Sequence, residues 1–217
     1  MEARLSGEEY PDHYWIGGSP CSGKSTIAGR LAATYGMRVY RCDDAFFRHQ
    51  MSIDPKLQPI FSRLARASCD ELWMRPVPHQ LREAIEPYRE QFPFILADLA
   101  HLPCSLPTIV EGAALLPELV GSLGPDPNRA MWIVPTEQFQ REEYERRAWR
   151  HEVLSRCSDK DQAWQNWMAR DTGFAQVATD QPRAPGFKVL TVDGIRSVHE
   201  DLAAVLAWFR LPMIPSQ

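Results

Sequence analysis

The chain predicts an α/β fold built on a mostly parallel sheet, and three observations predict it. Short apolar runs alternate with helical patterns along most of the sequence. The first run leads directly into a glycine-rich turn that opens a helix. The later runs stop abruptly at an acid, at Pro135-Thr136 or at Asp193-Gly194, as strands do where they deliver side chains to a ligand-binding edge.

Taken in order, the first strand reads His13 to Gly17, and the helix after the turn runs from about Lys24 to Tyr35, closed by Gly36. A second strand covers Arg38 to Cys42 and stops at Asp43. The third, Thr108 to Val110, stops at Glu111-Gly112. A fourth covers Met131 to Val134 and a fifth Lys188 to Val192. A last helix, about Val198 to Arg210, places Val198, Leu202, Val205, Leu206 and Phe209 at helical spacing. Two segments interrupt the alternation. Residues 44–107 read as several helices broken by Pro55, Pro59, Pro76, Pro78 and Pro87, and residues 137–185 as two helices joined near Ser155 to Lys160. With no repeat and no linker-like tract, the 217 residues are expected to form one domain carrying an insert and a second helical region, with a loosely held tail after Leu211.

Composition narrows the function. The net charge of −4 argues against a general nucleic-acid binder, so no nucleic-acid partner is expected. No apolar run is long enough to span a membrane, and the acidic N-terminus does not read as a secretory signal. The five cysteines are scattered and form no C-x-x-C pair, which points to reduced thiols in a cytoplasmic protein rather than to disulfides or a zinc site.

The chemistry starts at Gly18-Ser19-Pro20-Cys21-Ser22-Gly23-Lys24-Ser25-Thr26, a complete G-x-x-x-x-G-K-[ST] phosphate-binding loop between a strand and a helix. The glycines permit backbone conformations that a side chain blocks, and inward-turned N–H groups then hold phosphate oxygens. The helix N-terminus adds its positive end. Lys24 is placed for the β- and γ-phosphates and Ser25 for Mg²⁺, so the expected ligand is ATP with Mg²⁺. Cys21 is expected to contribute backbone rather than sulfur.

Acids at strand ends come next. Asp43 and Asp44 are candidates to bind the acceptor, Asp43 as the base that takes its proton; the alternative is an N-cap of the following helix. Glu111 ends an apolar strand as a Walker-B carboxylate does and is the expected metal partner of Ser25, a solvent-exposed strand end being the alternative. Asp193 reads as a turn residue. Phe139 to Arg150 carries Arg141, Arg146, Arg147 and Arg150, and Arg146 with Arg150 shares a helix face that could close over transferring phosphate. Glu142–Arg146 and Glu143–Arg147 could equally be surface pairs that stabilise the helix. Arg170 is a weaker candidate for the same region. In the insert, Phe46, Phe47, Phe61, Trp73, Tyr88 and several arginines could line a pocket for a small acceptor; Arg48, just past the acidic pair, is the candidate carried forward.

With these residues in view, the chain resembles the P-loop kinases of the nucleoside and nucleotide kinase superfamily. Arg41-Cys42-Asp43-Asp44-Ala45-Phe46-Phe47-Arg48 is similar to the Asp-Asp-Phe-Phe and Asp-Ser-Phe-Tyr segments of nicotinamide riboside kinase and uridine kinase, and Val110-Glu111-Gly112 to the Leu-Glu-Gly of uridine kinases. Chloramphenicol phosphotransferase has a comparable plan. The resemblance implies a three-layer α/β/α sandwich with strand order 2-3-1-4-5, a helical substrate-binding insert, a helical lid, and Asp43 as the residue that activates an acceptor hydroxyl. The expected activity is transfer of the γ-phosphoryl group of ATP to a small-molecule hydroxyl on a nucleoside, nucleotide, sugar or antibiotic. A 5′-hydroxyl polynucleotide kinase and a non-catalytic ATP sensor are the alternatives. Oligomeric state, a homodimer included, stays open.

Overall fold

A computed structural model describes residues 12–181 and 186–212. The expected tail from residue 213 and the N-terminal reading up to residue 11 lie outside the described residues. Five strands, β1 (His13–Gly17), β2 (Arg38–Arg41), β3 (Thr108–Glu111), β4 (Ala130–Pro135) and β5 (Lys188–Val192), form one all-parallel sheet in the order β2-β3-β1-β4-β5. The helices are α1 (Lys24–Tyr35), α2 (Cys42–Gln50), α3 (Pro59–Leu64), α4 (Cys69–Trp73), α5 (Val77–Ala100), α6 (Pro117–Ser122), α7 (Glu137–Glu145), α8 (Arg150–Val153), α9 (Lys160–Asp180) and α10 (Val198–Phe209).

The strands are apolar on both faces because both faces are covered. Tyr14, Ile16, Met131 and Ile133 pack with Leu31 of α1 and Val205 and Phe209 of α10. Trp15, Trp132 and Val134 point the other way, into a second core with Phe92, Ile95 and Leu99 of α5 and Ala178 of α9. The two-residue side-chain period of a strand sorts neighbouring positions into opposite layers. In the parallel register, Arg41 of β2 and Ile16 of β1 both pair with Glu111 of β3, so three strands end along one edge.

Outside the site itself, the structure differs from the sequence reading in the course of α5, the end of β2 and the pairing of the cysteines. The expected break at Pro87 does not occur: α5 continues through Pro87 and Pro93. Two interior prolines cost about 6 kcal/mol together, and burying Phe92, Ile95 and Leu99 at about 1.5–3 kcal/mol each is of the same size. β2 stops at Arg41, so Asp43 and Asp44 lie in the first turn of α2 rather than after a strand. Both carboxylates there complement the positive end of the helix. Finally, the cysteines are not all free. Cys69 and Cys157, 88 residues apart, form a disulfide with their Cα atoms 4.9 Å from each other. The physical cause is packing: α4 and the segment before α9 share a core of Trp73, Tyr144, Leu154, Trp167 and Met168, with Trp73 stacked on Trp167 at 4.7 Å. None of the helices is long and apolar enough to cross a membrane among the described residues.

Candidate active site

The loop from Gly18 to Thr26 leaves the carboxyl end of β1 and enters α1. Its conformation rests on close approach and left-handed backbone. Gly18 has φ +123° and lies so near Ile133 that a Cβ would fall 1.9 Å from that carbonyl. Gly23 forms the left-handed N-cap of α1, and Cys21 adopts φ 63°, which is rare outside glycine. Burial raises the Cys21 thiol to about 11, so it stays protonated and non-nucleophilic near neutral pH.

Lys24 is buried, and its ammonium donates to the Ser19 carbonyl at 2.7 Å and to the Ser22 hydroxyl at 3.4 Å. Burial lowers its pKa, while the nearby Asp43 and Glu111 carboxylates oppose that shift. A buried cation is a strong electrostatic element for phosphate, and the two acids beside it favour its charged form. Pro20 to Thr26, Asp43, Phe46, Phe47, Tyr88, Ala113 and Arg147 line one cavity of about 430 Å³ above this lysine. The fold is the P-loop α/β/α sandwich, with its phosphate loop at the carboxyl edge of the sheet.

No family model matches the chain, and no curated protein does. Among solved structures it is similar to a gluconokinase from Sinorhizobium meliloti 1021, at 16% identity and TM-score 0.48 over 93% of each chain. It is also similar to the TT1252 protein of Thermus thermophilus, at 18% identity and TM-score 0.49, over 91% of this chain and 97% of that one.

Gly112 brings the second acid close. A Cβ there would lie 2.6 Å from the Cβ of Cys42, so only glycine lets the start of α2 pack against the end of β3. Glu111 is buried at that junction, 3.6 Å from the Arg41 Nε, with the Ser25 hydroxyl on the loop near enough to act on its pKa. Burial raises its pKa, with Ser25, Lys24 and Arg41 pulling the other way. A hydroxyl and a carboxylate side by side are hard oxygen donors of the kind Mg²⁺ takes, and Mg²⁺ keeps waters and phosphate oxygens as its remaining ligands. No cluster of three or more His, Cys, Asp or Glu side chains able to hold a metal ion by themselves occurs among the described residues.

The acidic pair divides. Asp43 lines the loop cavity, whereas Asp44 lines a separate surface hollow with Arg41, Arg48 and Asp98. Arg48 faces away from the loop: it bonds Asp98 at 2.5 Å, and that carboxylate also accepts from the Tyr40 hydroxyl at 2.7 Å and from His49 Nε2 at 3.0 Å. Its role in this structure is to tie α2 to α5.

The arginines are redistributed as well. The expected helix through Arg150 ends at Glu145, so Arg146 and Arg150 share no face. Arg146 is exposed and pairs with Glu143, while Arg150 stacks over Trp164 at 4.8 Å. Arg147 is the one that reaches the cavity, steadied against the rings of Tyr144 and Trp149 at 5.5 and 5.7 Å. Arg170 lies over the Trp73 ring at 4.5 Å and pairs with Asp171. Asp193 makes the expected turn, accepting from the Ile195 N–H.

Gln140 is a residue that the sequence reading missed. From the buried side of α7 its amide donates to the Ser19 hydroxyl and to the Pro20 carbonyl, both at 2.9 Å, and so holds the front of the loop. Nothing local marks it, because a glutamine in a charged helix carries no motif. Tyr88, named as one of many pocket candidates, joins the loop cavity from α5.

Proposed function

We propose that the chain is an ATP-dependent kinase that transfers a phosphoryl group to a hydroxyl of a small molecule. One observation carries this reading. The loop cavity adjoins a second cavity, and the two share Pro20, Phe46 and Tyr88 as lining residues, with Asp43 on the loop side of that boundary. A nucleotide site adjoining a second cavity is the arrangement that group transfer between two substrates needs.

In this mechanism the loop amides and Lys24 hold the phosphates of ATP. The acceptor oxygen forms a bond to the γ-phosphorus as the bond from that phosphorus to the β–γ bridging oxygen breaks. ADP leaves with the electron pair, and the acceptor proton passes to the Asp43 carboxylate. Arg147 is placed to stabilise charge on the transferring group. Ser25 and Glu111 would hold Mg²⁺, which supplies charge neutralisation on the β- and γ-oxygens.

The test is transfer from γ-labelled ATP in the presence of Mg²⁺ to pools of nucleosides, nucleotides, sugars, hydroxylated antibiotics and a 5′-hydroxyl oligonucleotide. Label is expected on a small-molecule pool, falling by roughly 10³-fold or more in Lys24→Ala. ATP binding with no transfer to any pool would turn the reading to a non-catalytic sensor, and transfer to the oligonucleotide alone would turn it to a polynucleotide kinase.

A further inference from the structure

The second cavity has a chemistry of its own. It holds about 250 Å³ between α2, α3, α4, α5 and α9, with Pro20 of the loop at one side. Two ring pairs line it: Phe46 with Phe61, centroids 4.6 Å apart, and Tyr88 with Phe174, 5.9 Å apart. Leu64 and Leu72 add aliphatic surface. Phe47, 73% exposed, stands at the mouth of the adjoining loop cavity.

The charged groups that line this cavity are already committed within the protein. Glu83 is held by Arg63 at 2.5 Å and by Arg75 at 2.7 Å. Asp171 accepts from the Tyr144 hydroxyl at 2.8 Å, from Trp167 Nε1 at 3.1 Å and from Arg170 at 2.5 Å. Arg170 spends its remaining face on Trp73. A ligand that needed these groups would have to break buried or half-buried ion pairs and lose charged hydrogen bonds already made. An anionic ligand would in addition meet two carboxylates and a single guanidinium in the lining. That leaves the Gln50 amide and the Tyr88 hydroxyl, which make no hydrogen bond among the described residues.

From this lining we propose that the acceptor is an uncharged alcohol built on an aromatic ring. The inference rests on the kinase reading of the adjoining loop. The ring sits among Phe46, Phe61, Tyr88 and Phe174, where offset and edge-on ring contacts are available. A cavity of roughly 150 Å³ takes up benzene, so this one has room for a ring and a short hydroxylated chain. The chain passes Phe46 and Tyr88, the residues common to both cavities, and brings its hydroxyl to Asp43. Polyhydroxylated sugars, sugar acids and nucleoside monophosphates are disfavoured, because each carries polar or anionic groups that the lining leaves unpaired.

Two readouts test this. The first is calorimetric binding of 1-phenyl-1,2-ethanediol, an uncharged aryl diol, to the full chain and to two variants. The second is label transfer from ATP to that diol, a nucleoside, a nucleoside monophosphate and a sugar acid. Saturable binding with a negative heat-capacity change is expected, at least tenfold weaker in Ala84→Leu, which fills the cavity without removing a core ring. Phe174→Leu serves as the second variant, and thermal melts check that both fold. Label should appear on the diol. Transfer to the sugar acid or the monophosphate in its place would overturn the inference and leave the kinase reading standing. Binding of the diol with no transfer to any acceptor would overturn the kinase reading and keep the ligand class of the cavity. A diol that does not bind, or that binds equally well to both variants, overturns the inference whatever the transfer result.

Discussion

The two cavities are built by opposite means. The floor of the loop cavity is made from consecutive residues, Pro20 to Thr26, whose backbone is set by Gly18, Gly23 and the start of α1, and only its walls come from distant residues such as Asp43, Tyr88 and Arg147. Apart from Pro20 at the shared boundary, the second cavity is made from side chains of α2, α3, α4, α5 and α9, drawn from residues 46 to 174 and brought together by tertiary packing. The contrast teaches that the geometry of the loop is a local property of the chain and the ring-lined cavity a global one. Backbone N–H groups bind phosphate wherever the loop folds, whereas a ring pocket exists only once distant helices have docked.

The same contrast separates the acidic pair. Asp43→Asn is expected to reduce kcat by roughly 10²–10⁴-fold with little change in ATP affinity, as removal of a general base does. Asp44→Asn, on the far side of the same helix turn, should leave kcat within about threefold of wild type by that same measure. Steady-state kinetics with both variants decides it. Equal losses would mean that both acids act at one site and that the division between the two hollows has no catalytic meaning.

A second way to break the comparison is the disulfide. Cys69–Cys157 closes a loop of 88 residues and joins the insert to the region before α9, far from Lys24 in sequence and outside the loop cavity. In the chain-entropy treatment, a crosslink of that span contributes roughly 4–5 kcal/mol. Cys69→Ser, or reduction of the native chain, should lower the urea midpoint correspondingly and weaken acceptor binding while ATP binding persists. Coincident loss of both ligands would show that the two halves unfold as one unit.

Gln140 sharpens the comparison at the loop itself. Gln140→Leu leaves the Ser19 hydroxyl and the Pro20 carbonyl without this donor, a loss of about 1–3 kcal/mol. ATP binding should weaken about tenfold, measured by calorimetry, with acceptor binding unchanged.

The smallest effect is a pH dependence at the Asp98 contact between α2 and α5. Burial pushes the Asp98 carboxyl up, but hydrogen bonds from Tyr40, Arg48 and His49 outweigh it and hold its pKa below 3.8. A carboxylate depressed in the folded state contributes stability above its unfolded pKa and loses it as pH falls through the folded value. Native melting temperature should therefore fall on acidification below about pH 4, and Asp98→Asn should flatten that limb. An unchanged acid limb would remove Asp98 from the account.

Legibility followed the distance over which each feature is decided. β1, α1, β5 and the acid-ended β3 could be read from the sequence because each is fixed by a few adjacent residues: an apolar run, a glycine at a left-handed cap, an acid at a strand end. The Arg146–Arg150 pair was read on a helix that in fact stops at Glu145, and periodicity within a charged, amphipathic stretch gives no sign of that stop. Pro87 looked like a breaker because its local cost is visible in sequence and the compensating burial of α5 is not.

By itself, then, the sequence determined the phosphate loop, the parallel strands that carry it and the candidate acids at its edge. These depend on backbone geometry and on neighbours within a few residues. Only the tertiary structure decided which of two adjacent aspartates faces the loop, which arginine reaches it, that Gln140 braces it, that two of the cysteines pair, and that the second cavity is lined by rings. Each of those depends on which helix faces pack together, and the burial that selects them is summed over contacts far apart in the chain.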